Sequence, residues 1–378
     1  MYNVLLASVG AFFDAPAEIP FLFKKADCNV HIFCAKESWL TANSFHDQWI
    51  EASNNEQEFA RQLIELVHQK QDFYNWVLLL DDVTVRIMNE TITNDFLFSK
   101  ILPLTKIENR YILSSKAGLS AACLQYNIAT PKFINYTPEI TTETIFSYLQ
   151  FPILLKENFS FSGLGIQFCA TPNEFENCLQ KVKSTHQLVL QEFIEGEDIG
   201  VEAVFKDGKL VAYNASKILS YMYGKFSFTT RRLYYKNEVL AKELQKTGLA
   251  FGINGFANMQ YIFHPQRNTY YLIEADLRAN AWMVYSRFME SNFIYALREM
   301  TQGKIRTYFP TTTPLNKEIE IAIFDRDFRR CIKQKDFVGI CRWLFNYKGY
   351  WRFLPIYDTV FAKRIFKKML KDLFKIKN

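Results

Sequence analysis

The sequence predicts a mixed α/β fold (α/β passing into α+β) in three parts: a Rossmann-like sheet over residues 1–107, a second domain over 108–305, and an extension over 306–378. Three observations carry this. Short apolar strands alternate with helical stretches through the first hundred residues, the βαβ rhythm of a parallel sheet. From about residue 108 the rhythm changes to strands joined by tight turns. The last residues place apolar side chains at helical spacing with basic ones between them, an amphipathic helix. A chain of 378 residues with 49% hydrophobic content is long enough to bury a large core in two or three domains.

Taken in order, Val4–Ser8 reads as the first strand, followed by Gly10 and a helix. Asn29–Cys34 is the second strand, and Trp76–Leu80 a third that ends in Asp81 and Asp82. Gly10 stands alone after the first strand, so no glycine-rich dinucleotide fingerprint is present and NAD or FAD is not expected. Asp81 and Asp82 fit either a ligand crevice or strand-end caps. In the second domain Ser114-Ser115-Lys116 opens a helix through Gln125, and Thr130-Pro131-Lys132-Phe133 turns into a strand. Pro152–Lys156 is a strand, Ser160–Gly165 a small-residue loop, and Ile166–Phe168 the return. Thr171, Pro172 and Glu174 form a helix start with an N-cap, a first-position proline and a capping-box glutamate. Leu188–Ile194 is another strand, and two more flank the Lys206-Asp207-Gly208-Lys209 turn.

Composition excludes several classes. The seven cysteines have no CxxC pair and no metal-ligand spacing with the five histidines, and their odd number argues against a full disulfide framework. The N-terminus lacks the basic and apolar regions of a signal peptide, and no apolar run reaches the length of a membrane span. A cytoplasmic protein is expected. The net charge of +6 sits wholly in residues 361–378, with seven basic residues against Asp372, so the remainder is balanced. Nucleic acid is therefore not an expected partner.

The most chemically pointed segment is Glu274-Ala275-Asp276-Leu277-Arg278. Strand alternation would point both carboxylates the same way, toward a divalent metal, with an arginine one step on. Other pieces join it: Ser115-Lys116 before a helix, Pro152-Ile153-Leu154-Leu155-Lys156 with its loop, Gln191-Glu192-Phe193-Ile194-Glu195-Gly196-Glu197-Asp198, and Gln260 fourteen residues before Glu274. In this order they resemble the ATP-grasp superfamily, over roughly residues 108–305. The likeness is nearest to the carbamoyl-phosphate synthetase large chain and the carboxylate-amine ligases. The resemblance implies a two-subdomain ATP-grasp fold preceded by a pre-ATP-grasp domain.

It also implies roles. Lys116 and Lys156 would replace the water that ATP phosphates lose on binding, although Lys156 alone would read as a lysine snorkelling from a sheet edge. Ser162 and Gly163 of the small-residue loop would close over the phosphates. Gln191, Glu192, Phe193 and Ile194 would form the adenine hinge, through the Gln191 side chain and the Glu192 and Ile194 backbones. Asp198, with Glu197 as the alternative, would take the ribose. Gln260, Glu274 and Asp276 would hold Mg²⁺ or Mn²⁺, with Asp276 standing where the family usually has asparagine. Arg278 would bind the transferred phosphoryl group, acting with Lys156 in catalysis. Lys217 and the pair Arg231-Arg232 are further cations within reach of phosphates or an acidic substrate, the arginines fitting a solvated surface equally well.

The implied activity is an ATP-dependent ligase that activates a small-molecule carboxylate as an acyl-phosphate and joins it to an amine. Phosphoryl transfer without ligation, or a non-catalytic nucleotide-binding scaffold associated with membrane, are the alternatives. The basic amphipathic helix at 361–378 leaves three partners open: peripheral contact with an anionic membrane, its own domain, or a second subunit in a homodimer.

Overall fold

The computed structural model describes residues 1–10, 13–160, 163, 165–182, 187–289, 291–304 and 318–374, the side chain of Phe374 excepted. Its first sheet is parallel, with strands β1 (Asn3–Ser8), β2 (Asn29–Cys34), β3 (Gln48–Glu51) and β4 (Trp76–Leu79) in the order β3-β2-β1-β4. A parallel sheet is covered on both faces, which is why β1 is a continuous apolar run. Val4 and Leu6 enter one core while Leu5 and Ala7 enter the other. Strand β3 was not expected from the sequence: it is four residues long, mostly exposed, and has no apolar alternation to mark it.

The second sheet is small and antiparallel. Strands β5 (Phe133–Tyr136), β6 (Ile153–Glu157), β7 (Ile166–Cys169) and β8 (Leu188–Glu192) run in the order β5-β8-β6-β7. Two helices, Thr142–Tyr148 and Pro172–Lys181, cover it and close a core of its own around Ile145, Leu155, Phe175 and Leu190. The Thr171 hydroxyl accepts from Glu174 N at 3.3 Å, and the Glu174 carboxylate reaches back to Ala170 N at 2.8 Å, so the capping signal read in the sequence is a real helix start.

The third sheet is antiparallel and six-stranded. It consists of β9 (Glu197–Lys206), β10 (Lys209–Tyr221), β11 (Thr229–Tyr235), β12 (Gly255–His264), β13 (Thr269–Asp276) and β14 (Ile319–Ala322), in the order β13-β12-β9-β10-β11-β14. Asp207 and Gly208 both take positive φ, the geometry a two-residue hairpin needs to match strand twist. Strand β14 comes from the C-terminal extension, and the boundary expected at 305/306 falls outside the described residues.

The C-terminal helix, Thr359–Phe374, settles where its apolar stripe goes. Phe361, Ile365 and Met369 are buried in the core that also holds Val4, Leu6 and Phe256. Arg364 donates to the carbonyls of Glu37 at 2.7 Å and Ser38 at 3.1 Å and lies over the Trp39 ring. Of the three partners left open for the stripe, it is its own chain that covers these residues, because an apolar pattern suits any apolar surface and the nearest one is internal. Among the described residues no helix is long and apolar enough to cross a membrane.

Candidate active site

A cavity of about 500 Å³ opens between the small sheet and the six-stranded sheet and reaches the carboxyl end of β4. That volume is in the range of small-molecule sites. Strands β12 and β13 form its floor. Antiparallel pairing sets Gln260 opposite Glu274 and Asn258 opposite Asp276. Strand alternation then aims Glu274 and Asp276 into the cavity, while Ala275 between them packs on the core.

The surroundings of these carboxylates are unequal. Among the described residues Glu274 accepts no hydrogen bond, and Asp276 uses only its Oδ2, from Arg278 at 3.0 Å and Asn258 at 3.2 Å. Burial pushes the Asp276 carboxyl up to about 7; Arg278 opposes this, while Asp82 and Glu274 add to it. Gln260, Glu274 and Asp276 therefore offer hard oxygen donors with free lone pairs. Mg²⁺ takes one or two carboxylates and completes its coordination with phosphate oxygens and water, so this donor set fits it without a closed protein cage. Among the described residues no group of three or more His, Cys, Asp or Glu side chains forms such a cage.

Arg278 is held as a fork. Its Nε and Nη2 donate to Asp82 at 2.6 Å each, and Nη2 also donates to Asp276. Burial works against its charge, but Asp82 and Asp276 outweigh burial and keep it firmly protonated. Asp81 has a different job from its neighbour. It is buried, accepts from Ser8 Oγ at 2.7 Å and Thr84 N at 2.8 Å, and caps the helix Asp82–Thr91. Of the two strand-end aspartates, Asp81 is the cap and Asp82 the one that engages the site.

The small sheet supplies the opposite wall. Lys156 on β6 and Gln191 on β8 are both buried, and Lys156 Nζ donates to Gln191 Oε1 at 2.5 Å. Burial lowers the Lys156 ammonium to about 8, with Lys116 adding to the fall and Glu274 opposing it. Lys116 sits at the start of the helix Lys116–Gln125, whose first turn Ser115 caps, and reaches the Ser160 carbonyl at 2.6 Å. Gly163 takes φ +74° and lies so close to Phe226 O that a Cβ would stand 1.7 Å from it, so only glycine fits there. Ser162 lies outside the described residues.

At the hinge, Gln191, Glu192, Phe193 and Ile194 all line the cavity. The N–H groups of Glu192 and Phe193 are taken by Lys132 O and Pro152 O, which leaves Ile194 N–H as the hinge donor among the described residues. Asp198 also lines the cavity and accepts from Tyr221 OH at 2.6 Å. Lys217 does not reach it. It lies on the far side of β10 from Ile218, paired with Glu197 at 2.8 Å, because alternation along the strand turns it outward. Lys225 lines the cavity instead, 5.0 Å from the Phe193 ring centroid. Arg231 and Arg232 divide the same way: Arg232 lines the cavity, while Arg231 faces Glu320 at 3.5 Å.

Arg232 is one of the further cations the sequence offers, whereas Asn258, Asn280, Asp14 and Arg326 escape the sequence reading. Arg232 is buried, donates to Glu202 at 2.6 Å and stacks over Trp282 at 4.4 Å. Asn280 donates to Asn258 at 2.7 Å, and Asn258 donates to Asp276, so a buried polar chain stiffens the floor. Asn280 continues the alternate spacing of Glu274, Asp276 and Arg278, the one signal that could have found it. At the end remote from the hinge, Asp14 meets Arg326 at 3.0 Å and also bonds Lys368. Burial opposes ionisation of Asp14, but these two cations overcome it and hold its carboxyl well below the usual range.

The chain is similar to several known proteins. Residues 114–212 match the RimK-like ATP-grasp domain. A D-alanine–D-alanine ligase of Carboxydothermus hydrogenoformans is 24% identical over 210 residues, and the match spans 51% of this chain and 64% of that enzyme, less than two thirds of its length. N5-carboxyaminoimidazole synthetase from Staphylococcus aureus superposes with a TM-score of 0.63 at 10% identity, covering 89% of this chain and 86% of that one. L-amino acid ligase from Bacillus licheniformis gives 0.57 at 15% identity, covering 81% and 77%. Phosphoribosylglycinamide synthetase from Anaerococcus prevotii gives 0.58 at 14%, covering 84% and 79%. Identities this low speak to the fold alone, and the likeness to the RimK-like ATP-grasp domain rests on the match over residues 114–212.

Proposed function

We propose that the protein is an ATP- and Mg²⁺-dependent ligase that activates a carboxylate as an acyl-phosphate and joins it to an amine. The observation that carries this reading is that one cavity gathers Lys116, Lys156, the Gln191–Ile194 hinge, Asp198, the Gln260/Glu274/Asp276 donors and Arg278. Those are the parts needed to bind a nucleotide triphosphate and hold its γ-phosphoryl group against an acceptor.

The residues divide the work. Ile194 N–H and the Gln191 side chain read the adenine, Asp198 the ribose, and Lys116 and Lys156 the phosphates. Mg²⁺, when bound at Gln260, Glu274 and Asp276, supplies neutralisation of the phosphate oxygens. Arg278 presents a planar fork suited to a carboxylate or phosphoryl group, already aimed by Asp82. A substrate carboxylate oxygen attacks the γ-phosphorus, an O–P bond forms and the bond to ADP breaks. The amine then attacks the acyl carbon, forms the C–N bond, loses a proton and expels phosphate. Asp14, Arg326 and Lys368 line the end where the acceptor would sit.

The test is release of ADP and phosphate against panels of carboxylates and amines. ADP and inorganic phosphate appearing together, dependent on both substrates, support ligation. A stable phosphorylated product without amine dependence would mean phosphoryl transfer, and ATP binding without turnover for any pair would mean a scaffold.

A further inference from the structure

The helix Phe337–Leu344 turns its apolar side outward. Phe337 is 73% exposed, Val338 65%, Leu344 55% and its C-cap Phe345 76%, and Cys341 is exposed among them. At 3.6 residues per turn these five fall within an arc of about 120°. Gly339 and Trp343, on the opposite side, are buried. A Cβ at Gly339 would stand 2.4 Å from Cys331 Sγ, so the helix sits hard against its neighbour Phe324–Lys333 and cannot roll its apolar stripe inward. The following turn continues the surface with Tyr347 at 58% and Trp351 at 49% exposure. An exposed apolar stripe this continuous marks an interaction surface.

Charge decides what it meets. Residues 332–374 carry ten lysines and arginines against three aspartates. Lys335, Lys348, Arg352, Lys363 and Lys367 are all exposed. A second copy of the chain would bring this cationic surface against its own duplicate, and like charges repel. Aromatic and aliphatic groups rimmed by Lys and Arg suit an anionic bilayer, whose headgroups attract the cations while its acyl boundary takes the apolar side chains.

We propose that the Phe337–Leu344 helix, with Phe345, Tyr347 and Trp351, docks the protein on an anionic lipid surface. This differs from contact through the stripe of the C-terminal helix, which is buried. It is independent of the reaction proposed for the cavity. The test is cosedimentation of the full chain with vesicles of phosphatidylcholine alone and of phosphatidylcholine mixed equally with phosphatidylglycerol, alongside analytical ultracentrifugation. Binding is expected to the mixed vesicles only, weakening as salt rises. Phe337→Ser with Leu344→Ser and Phe345→Ser should lower it at least about tenfold without lowering the melting temperature. Lys348→Glu with Arg352→Glu should weaken it separately, keeping the apolar stripe intact. An environment-sensitive fluorophore on Cys341 should shift to the blue on mixed vesicles. Absence of sedimentation would overturn the proposal, as would equal binding to neutral vesicles, or a wild-type dimer that the serine variant dissociates.

Discussion

The two sheets that face each other across the cavity hold opposite halves of the site and are supported in different ways. The small sheet, with Lys156 and Gln191, closes a core that, among the described residues, draws its buried side chains from residues 145–190 alone. The six-stranded sheet, with Glu274 and Asp276, shares its cores with the N-terminal sheet and the C-terminal extension. Its floor is further tied by the chain running from Glu202 through Asn280 and Asn258 to Asp276, Arg278 and Asp82. The difference teaches that the wall carrying Glu274 and Asp276 is a platform tied into the rest of the chain, and the wall carrying Lys156 and Gln191 a cover packed on a small core of its own. Such a division suits a nucleotide that must enter and leave past one wall.

The contrast can be broken from either side. The largest effect is expected on the platform: Glu274→Ala should lower ADP release by more than about a hundredfold, above the usual loss from removing a second-tier metal partner, with little change in melting temperature. On the cover, Lys156→Met should weaken ATP binding about tenfold or more without lowering stability, measured by calorimetry and thermal melting. The sign follows from burial. A lysine lowered to about 8 destabilises the fold at neutral pH, by up to about 3 kcal/mol on the conversion of a pKa shift to free energy, and methionine removes that cost.

Asp82→Asn tests the bridge between the N-terminal sheet and the platform. It leaves Arg278 with one carboxylate, and turnover should fall by the worth of a charged hydrogen bond, about 1.5–3 kcal/mol, with ATP affinity little changed. Protonation sharpens the same point. Asp276 has its pKa raised in the fold, so the stability it contributes is present at low pH and is lost as pH rises through about 7. Metal binds the ionised form, so the Mg²⁺-induced rise in melting temperature should be larger at about pH 7.5 than at about pH 6. The smallest effect belongs to Thr171→Ala, which removes a helix cap and should cost the cover about 1 kcal/mol, read as faster amide exchange confined to the small sheet.

Much of this was legible in the chain because local pattern carried it. The Thr171 cap, the Asp207-Gly208 turn and the alternate spacing of Glu274 and Asp276 are all set by neighbours a few residues away. What escaped was set by distance. Asp82 and Arg278 are 196 residues apart, and nothing local marks Asp82 rather than Asp81 as the partner. Lys217 and Lys225 are equally basic, and only the facing of β10 and the course of the following segment put the second in the cavity. The C-terminal stripe has a pattern equally suited to core or membrane, and its packing beside the helix Phe324–Lys333 and the turn Trp39–Ala42 is a tertiary fact. The stripe at Phe337–Phe345 shows the converse, an apolar pattern that tertiary packing leaves on the surface.

The most direct measurement is a crystal structure with Mg²⁺ and a non-hydrolysable ATP analogue. The adenine should lie against Gln191–Ile194, the phosphates between Lys116 and Lys156, and the metal on Glu274 and Asp276, with the γ-phosphoryl group facing Arg278. Nucleotide bound outside this cavity, or metal bound without Glu274 and Asp276, would contradict the account.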